Sequence, residues 1–300
     1  MKSESSPDLT GSKKIEGSIG KLPIGDTHPV RIMGVINLTS DSFFSGSVRK
    51  TLEEIRAEAI GMQEEGADLI DLGARSTAPY KKFDIPVSME KRILEEAVKA
   101  VADVVQLPIS ADTTRLGPAR AAVEMGAMVL NHVYGLTGRF SQEIARLIVS
   151  KECDLILVAH EQRGTRNRTR SPTERVANAL KKSLQFCSEH GISFEKITID
   201  PGIGFFEDTK ISNIEWNCKV LANLEELRPL ERPICVGLSR KRFLGQLIGN
   251  KPPEDRLNAS TAANALSVYN GAHLIRTHDV RETREAALVA RALREKRFIR

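Results

Sequence analysis

Three short segments of this chain repeat one local pattern, and that pattern restricts the possible folds more than any other feature. Glu64-Glu-Gly-Ala-Asp-Leu-Ile-Asp-Leu72, Glu124-Met-Gly-Ala-Met-Val-Leu-Asn131 and Tyr269-Asn-Gly-Ala-His-Leu-Ile-Arg276 each set Gly-Ala directly before an apolar run. Glycine ends a helix at little steric cost because it tolerates positive φ, and the run after it has the length of a buried strand. Stretches of helical character precede all three, at Leu52–Glu65, Gly117–Met125 and Ala259–Asn270. Further strand candidates, rich in Val, Ile and Leu, lie at Arg31–Ile36, Pro108–Ala111, Asp154–Ala159, Lys196–Ile199 and Pro233–Leu238, which brings the total to eight. Continuously apolar strands alternating with helices predict a parallel sheet covered by helices. Eight such units in about 270 residues predict closure into a (β/α)8 barrel, with an open doubly wound sheet as the alternative from pattern alone.

The expected organisation is one barrel domain over residues 15–300 behind a short tail. Residues 1–14 are rich in Ser, Gly and Lys and read as a disordered tail with no secretory h-region. Ile15 to Pro29 carries two turn signals between short apolar pieces and reads as a hairpin closing the barrel floor. The strand ends are polar: Asn37, Asp71, Asp112, Asn131, His160, Asp200, Ser239 with Lys241, and Arg276 with His278. Caps and turns account for single Asp, Asn and Ser residues. They do not account for Lys241, Arg276 and His278, and a barrel gathers such residues at one mouth.

Composition excludes more than it identifies. With 41% hydrophobic residues, 300 positions can bury a full core, and 44 basic against 39 acidic residues give a net charge of +5, which suits an anionic substrate. At 5% aromatics, with no zinc-finger spacing or RNA-binding aromatic motif, a nucleic-acid partner is not expected. No apolar run reaches membrane-spanning length, so the chain reads as cytoplasmic with no membrane partner. Cys153, Cys187, Cys218 and Cys235 form no CxxC pair and read as reduced, mostly buried thiols.

Most familiar catalytic motifs fail on inspection. Pro201-Gly-Ile-Gly-Phe-Phe206 lacks the third glycine of a dinucleotide fingerprint, and Gly237-Leu-Ser-Arg-Lys241 puts Lys where a nucleophile elbow closes on glycine. His160-Glu161 has no second histidine four residues on. The basic run Arg163, Arg166, Arg168, Arg170 and Arg175 reads as a solvated loop, with attraction of an anionic substrate at the mouth as the alternative.

Seven ordered segments instead resemble the dihydropteroate synthase family of pterin-binding barrels. They are Met33-Gly-Val-Ile-Asn37-Leu-Thr-Ser-Asp41-Ser-Phe43, Asp71-Leu-Gly-Ala-Arg-Ser76-Thr77-Ala-Pro79, Ser110-Ala-Asp112-Thr, Leu130-Asn131, Asp200-Pro-Gly-Ile-Gly-Phe205, Val236-Gly-Leu-Ser-Arg-Lys241 and Arg276-Thr-His278-Asp279. The resemblance runs from about residue 30 to 295 and implies the barrel already argued from pattern. It implies a transferase of folate or methanopterin biosynthesis that condenses a (7,8-dihydropterin-6-yl)methyl diphosphate with an arylamine and releases pyrophosphate. The acceptor would be p-aminobenzoate or a ribofuranosylaminobenzene phosphate.

The resemblance also implies residue roles. Asp112, Asn131, Asp200, Lys241 and Arg276 would bind the pterin; Lys241, Arg276 and His278 would act in catalysis, the last two on the leaving pyrophosphate. Phe43, Thr77, Pro79, Phe205 and Arg242 would line the acceptor site, Asn37 would help ligate Mg²⁺, and the enzyme would be a homodimer through outer helices. The chain departs from the family pattern at Arg75, Ala78, Tyr80, His132 and Arg242, where Glu, Arg, Gly, Asp and Ser are usual. The departures are similar to archaeal members. A pterin-dependent methyltransferase and a non-catalytic pterin-binding protein remain the alternatives.

Overall fold

Side chains of a strand alternate between its two faces, and in this protein both faces of each barrel strand are covered. The computed structural model describes residues 14–38, 50–75, 85–161, 171–206, 208 and 210–295. After a hairpin of β1 (Glu16–Ile19) and β2 (Leu22–Gly25), strands and helices alternate. The order is β3 (Arg31–Asn37), α1 (Leu52–Glu64), β4 (Leu69–Gly73), α2 (Val87–Ala102), β5 (Ile109–Asp112), α3 (Leu116–Glu124), β6 (Val129–His132) and α4 (Ser141–Ser150). There follow β7 (Asp154–Val158), α5 (Pro172–Glu189), β8 (Ile197–Asp200), α6 (Asn213–Ala222), β9 (Cys235–Gly237), α7 (Arg242–Leu247), α8 (Leu257–Tyr269), β10 (Leu274–Thr277) and α9 (Val280–Arg294).

The barrel strands are all parallel, in the order β8-β7-β6-β5-β4-β3-β10-β9. A parallel bridge between Ile199 and Ile234 joins the two ends of that series and closes the ring. The closed barrel replaces the open-sheet alternative. Each Gly-Ala segment turns where expected: Gly66, Gly126 and Gly271 have φ of 94°, 111° and 108°, and the strand begins three residues later. Strand starts shift from Pro108 and Pro233 to Ile109 and Cys235, because proline has no N–H for the ladder. Both prolines still serve through their carbonyls, which accept from Ile70 and Ile199 at 3.0 and 2.8 Å.

The two faces feed two cores. Outward residues such as Ile32, Ile36, Ile70, Leu155 and Ile275 pack under the helices. Inward ones, Met33, Leu69, Val129, Ile156, Cys235 and Leu274, fill the barrel with Ile19 and Ile24 of the hairpin beneath them. The hairpin is thus the floor, as its sequence suggested. It is clamped by Asp26, which accepts from both terminal nitrogens of Arg228 (3.0 and 2.9 Å), from His273 Nε2 (3.2 Å) and from the Ile15 N–H (2.8 Å). Helix starts carry their own signals: Thr51 with Glu54 and Ser171 with Glu174 form capping boxes on α1 and α5.

The tail expectation lies, except for Lys14, outside the described residues. Cys153, Cys187 and Cys235 are buried free thiols, and Cys218 is half-buried. Among the described residues no helix is long and apolar enough to cross a membrane.

The floor clamp predicts an acid limb in stability. Burial alone would raise the Asp26 pKa, but His273, Arg228 and the Ile15 N–H outweigh it and hold the carboxyl far below its usual range. A depressed pKa contributes stability that is fully present above the unfolded value near 3.8 and is lost as pH falls below it. Asp26→Ala should therefore cost about 2–3 kcal/mol at pH 7 and progressively less below pH 4, read by urea unfolding at both pH values.

Candidate active site

Steps of two along the strands build the mouth. Met33 lies in the inner core, so Val35 and Asn37 face the same interior; the same parity carries Leu69 to Asp71 and Gly73, Val129 to Asn131 and Val133, and Leu274 to Arg276 and His278. Together with Asp112, Val158, Asp200, Phe205, Gly237, Ser239, Lys241 and Arg75, the upper members line a cavity of about 180 Å³. A larger groove of about 940 Å³ lies between α4 and α5, but its lining is mostly helix surface, and of the expected mouth residues it has only His160. The smaller cavity is where the chemistry converges.

At its centre is an ion cluster. Arg276 donates through Nε to Asp71 Oδ2 (2.7 Å) and through Nη2 to Asp112 Oδ2 (3.0 Å). Asp71, fully buried, also accepts from Asn131 Nδ2 (3.3 Å) and Ser110 Oγ (2.6 Å). Among the described residues, Asp112 Oδ1 and Asn131 Oδ1, both buried, have no hydrogen-bond partner. Buried acceptors without partners are costly in a folded protein unless a ligand completes them.

Lys241 follows β9 and donates to the Ile203 carbonyl, with its ammonium 5.4 Å from the Phe205 ring centroid. Asp200 ends β8 and accepts from the Gly202 N–H at 2.7 Å. Burial moves these groups toward their neutral forms. Desolvation, partly offset by Arg276 and reinforced by Asp71, raises Asp112 to about 7. Desolvation and Arg276 outweigh Asp200 and lower Lys241 to about 8, while desolvation raises Asp200 against the pull of Lys241.

At the rim, His278 Nδ1 lies 2.9 Å from Ser239 Oγ, and its Nε2 lies 2.9 Å from Asn37 Nδ2. A proton on Nδ1, given to Ser239, leaves Nε2 to accept from Asn37. Desolvation and the charge of Arg276 lower His278 to about 4, so the ring is neutral at pH 7. Among the described residues no group of three or more His, Cys, Asp and Glu could hold a metal ion.

The structure thus gathers Asn37, Asp112, Asn131, Asp200, Phe205, Lys241, Arg276 and His278 at one cavity. Arg242 does not join them: it opens α7 as expected, but it is exposed and does not line the cavity. Phe43, Thr77 and Pro79 lie outside the described residues, as do Ala78 and Tyr80. Asp71 is corrected from a strand end to the middle of β4, where its role is to hold Arg276 and Asn131.

Arg175 is also corrected: it belongs to α5, not to a solvated loop, and its side chain is 3% exposed. Its guanidinium pairs with Glu161 and Asp208 and lies 4.4 Å over the Trp216 ring. It therefore ties the segments leaving β7 and β8 to each other. The rest of that basic run, Arg163 to Arg170, lies outside the described residues.

Residues 33–278 match the family of pterin binding enzymes. Dihydropteroate synthase of Escherichia coli is 32% identical over 272 residues, covering 89% of this chain and 92% of the relative. The chain belongs to the dihydropteroate synthase family of pterin-binding enzymes. Its barrel is similar to that of Xanthomonas albilineans dihydropteroate synthase with 4-aminobenzoic acid, at 31% identity and a TM-score of 0.80 over 94% of this chain and 98% of the other. The same Xanthomonas enzyme in complex with 7,8-dihydropteroate gives 30% identity and a TM-score of 0.76 over 93% and 98%. These relatives of the pterin-binding enzyme are bacterial, and the archaeal likeness expected from its departures is not borne out.

Breaking the Arg175 junction leaves two acids without their cation. Arg175→Met should lower stability by about 2–3 kcal/mol, at or below the lower end of the range for a broken buried pair because both acids are partly exposed. Glu161→Gln in the same background should add little, read by thermal denaturation of the single and double variants.

Proposed function

We propose that this chain is a dihydropteroate synthase that joins (7,8-dihydropterin-6-yl)methyl diphosphate to an arylamine and releases pyrophosphate. One observation carries the reading: the mouth offers a run of acceptors beside a single ammonium. Asp112 Oδ1 and Asn131 Oδ1 are buried without partners, Asp200 lines the same cavity, and Lys241 stands next to it. The amino-pyrimidinone edge of a pterin has the complementary order, several N–H donors and one carbonyl.

With the pterin so held, Asp112 and Asp200 favour positive charge on the ring system as the bond from the exocyclic methylene to diphosphate oxygen breaks. Arg276 lies between the acids and the rim, where it bears on both the ring and the departing anion. Neutral His278 offers hydrogen bonding there without charge. The arylamine nitrogen then forms the new C–N bond and gives its proton to solvent. p-Aminobenzoate is the favoured acceptor, since exposed Arg242 adds no observed contact for a phosphorylated one.

Mg²⁺ fits this site as a companion of the diphosphate. Asn37 engages His278 through Nδ2 and keeps a hard carbonyl oxygen to offer the ion, which would take its other ligands from phosphate and water. When bound, it would neutralise charge on the leaving group. A homodimer through α8 and α9 belongs to the same reading: Leu266, Tyr269, Leu288, Val289 and Leu293 are 52–65% exposed on these helices. So does a cytoplasmic setting, in which the free thiols stay reduced.

Pyrophosphate release from the pterin diphosphate is the test. Turnover is expected with p-aminobenzoate, with losses of at least about a hundredfold in Lys241→Ala and Asp200→Asn and with dependence on Mg²⁺. Arg242→Ser should leave the preference between p-aminobenzoate and a phosphorylated arylamine unchanged. Pterin binding without release under any arylamine would favour the non-catalytic alternative, and methyl transfer from a methylpterin the other.

The pKa pattern predicts a bell-shaped pH dependence of pterin affinity. Ionised Asp112 is the better acceptor, so affinity should fall as pH drops below about 7. Charged Lys241 is the better donor, so it should fall again above about 8. Calorimetry should find the acid limb missing in Asp112→Asn and the alkaline limb missing in Lys241→Ala.

A further inference from the structure

Asn131 can present either of two opposite groups to a ligand, since its amide carries an acceptor on one side and a donor on the other. Side-chain packing alone does not choose between them, because the two orientations are nearly the same shape. The choice falls to whatever the amide meets on its far side. That neighbour is Asp71, on β4, across β5 from β6. Its Oδ2 lies 3.3 Å from Asn131 Nδ2, and a carboxylate paired with a guanidinium has only acceptor capacity to offer.

We infer that Asp71 is a positioning residue that sets the hydrogen-bonding polarity of the ligand pocket: by taking the Nδ2 of Asn131 it leaves Oδ1 of that amide as the atom the ligand meets. The inference rests on the pterin reading above and deepens it. Three features support the assignment. Asp71 is fully buried and lines no part of the cavity, so it acts through other residues. Asn131 does line the cavity, and its Oδ1 is the amide atom without a partner.

The third feature is that both oxygens of Asp71 already accept hydrogen bonds. Oδ2 takes Arg276 and Asn131, and Oδ1 takes the Ser110 hydroxyl at 2.6 Å. Both oxygens are therefore engaged as acceptors, and turning the amide would set Asn131 Oδ1 against Asp71 Oδ2, acceptor against acceptor. The ligand group recognised by Oδ1 is an N–H donor, which we assign to the exocyclic amino group of the pyrimidinone edge.

The assignment separates Asp71 as a director of polarity from Asp71 as mere counter-charge to Arg276. In Asp71→Asn the new amide oxygen can take the place of Oδ2, while its NH₂ faces Ser110, whose hydroxyl can rotate to accept. Polarity is kept although the charge is gone. In Asp71→Ala nothing holds Nδ2, and the Asn131 amide can turn either way.

The readout is the ratio of Kd values for two uncharged probes, pterin and its 2-oxo counterpart lumazine, measured by calorimetry on the full chain. Wild type should prefer pterin by about tenfold or more, because the 2-oxo group sets an acceptor against an acceptor. Asp71→Asn should stay within about threefold of the wild-type ratio even if both affinities fall, whereas Asp71→Ala should bring the ratio near one. Asn131→Asp, which keeps an oxygen toward the ligand and can share a proton with Asp71, should retain the preference and covers the case in which Asp71→Ala does not fold.

An unchanged ratio in Asp71→Ala, or equal loss of the ratio in Asp71→Asn and Asp71→Ala, overturns the inference. A reversed preference in Asn131→Asp does so as well. Failure of wild type to bind pterin at all would instead overturn the functional reading.

Discussion

Closing eight parallel strands into a ring turns alternate side chains of every strand into one shared interior, and the chemistry of this protein depends on that constraint. The lower level is apolar, with Met33, Leu69, Val129, Cys235 and Leu274 above the hairpin residues Ile19 and Ile24. Two residues further along each strand, the same inward positions are held by Val35, Asp71, Asn131, Gly237 and Arg276. Gly73 and Gly237 contribute no side chain to the mouth, and a Cβ on either would already approach Asp112 or Arg276 at 3.7 or 3.5 Å. The space those glycines leave is part of the cavity. A one-residue slip in any of these strands would turn its polar group out under a helix and its apolar neighbour into the site.

Burial on that scale makes the charges interdependent. Asp71, Asp112 and Asp200 face Arg276 and Lys241 where water is scarce, so each carboxylate is tolerable only with a cation close by. The guanidinium serves two acids and the ammonium chiefly one. What remains is Asp112 raised to about 7 and Lys241 lowered to about 8, an acid and a base both drawn toward their neutral forms. Such a pocket gains from a neutral ligand with matching donors, because the ligand completes hydrogen bonds without adding a charge to be desolvated. In the proposed reaction the charged diphosphate would lie outside it, at the rim near His278.

The barrel and most of the pocket were legible in the sequence because both follow from short-range rules. Gly-Ala before an apolar run marks a helix end and a strand start, and polar residues just past apolar strands converge once the ring closes. Asp71 was seen as a polar residue but misplaced at a strand end, since its true partners, Arg276 and Asn131, lie 205 and 60 residues away. Arg175 misled for a similar reason. It continues a run of loop arginines in sequence, and only the packing of α5 against α6 shows that it is sandwiched between two acids and Trp216. Arg242 shows the converse: its place at the start of α7 was legible, but its exposure depends on how the outer helices pack.

Arg75 shows how a mouth of this kind can change sign locally without losing its fold. Glutamate is usual at that position in the family pattern, and arginine there would bring a third cation to the cavity lining beside Lys241 and Arg276. The compensating charge sits one layer back, on α2. Glu90 is fully buried, accepts from Thr113 Oγ1 at 2.5 Å and Arg115 Nη1 at 2.8 Å, and lies 3.8 Å from Arg75 Nε. Arg75 also donates to Thr114 Oγ1 at 2.9 Å, so its guanidinium is tied to the segment that follows Asp112. A reversed charge at the rim is thus absorbed by a helix behind the strand, while Asp71, Asn131 and Arg276 keep their own partners. Arg75 and the central cluster of Asp71, Asn131 and Arg276 draw on separate partners, so the charge carried at Arg75 is balanced without recruiting the acids that hold Arg276.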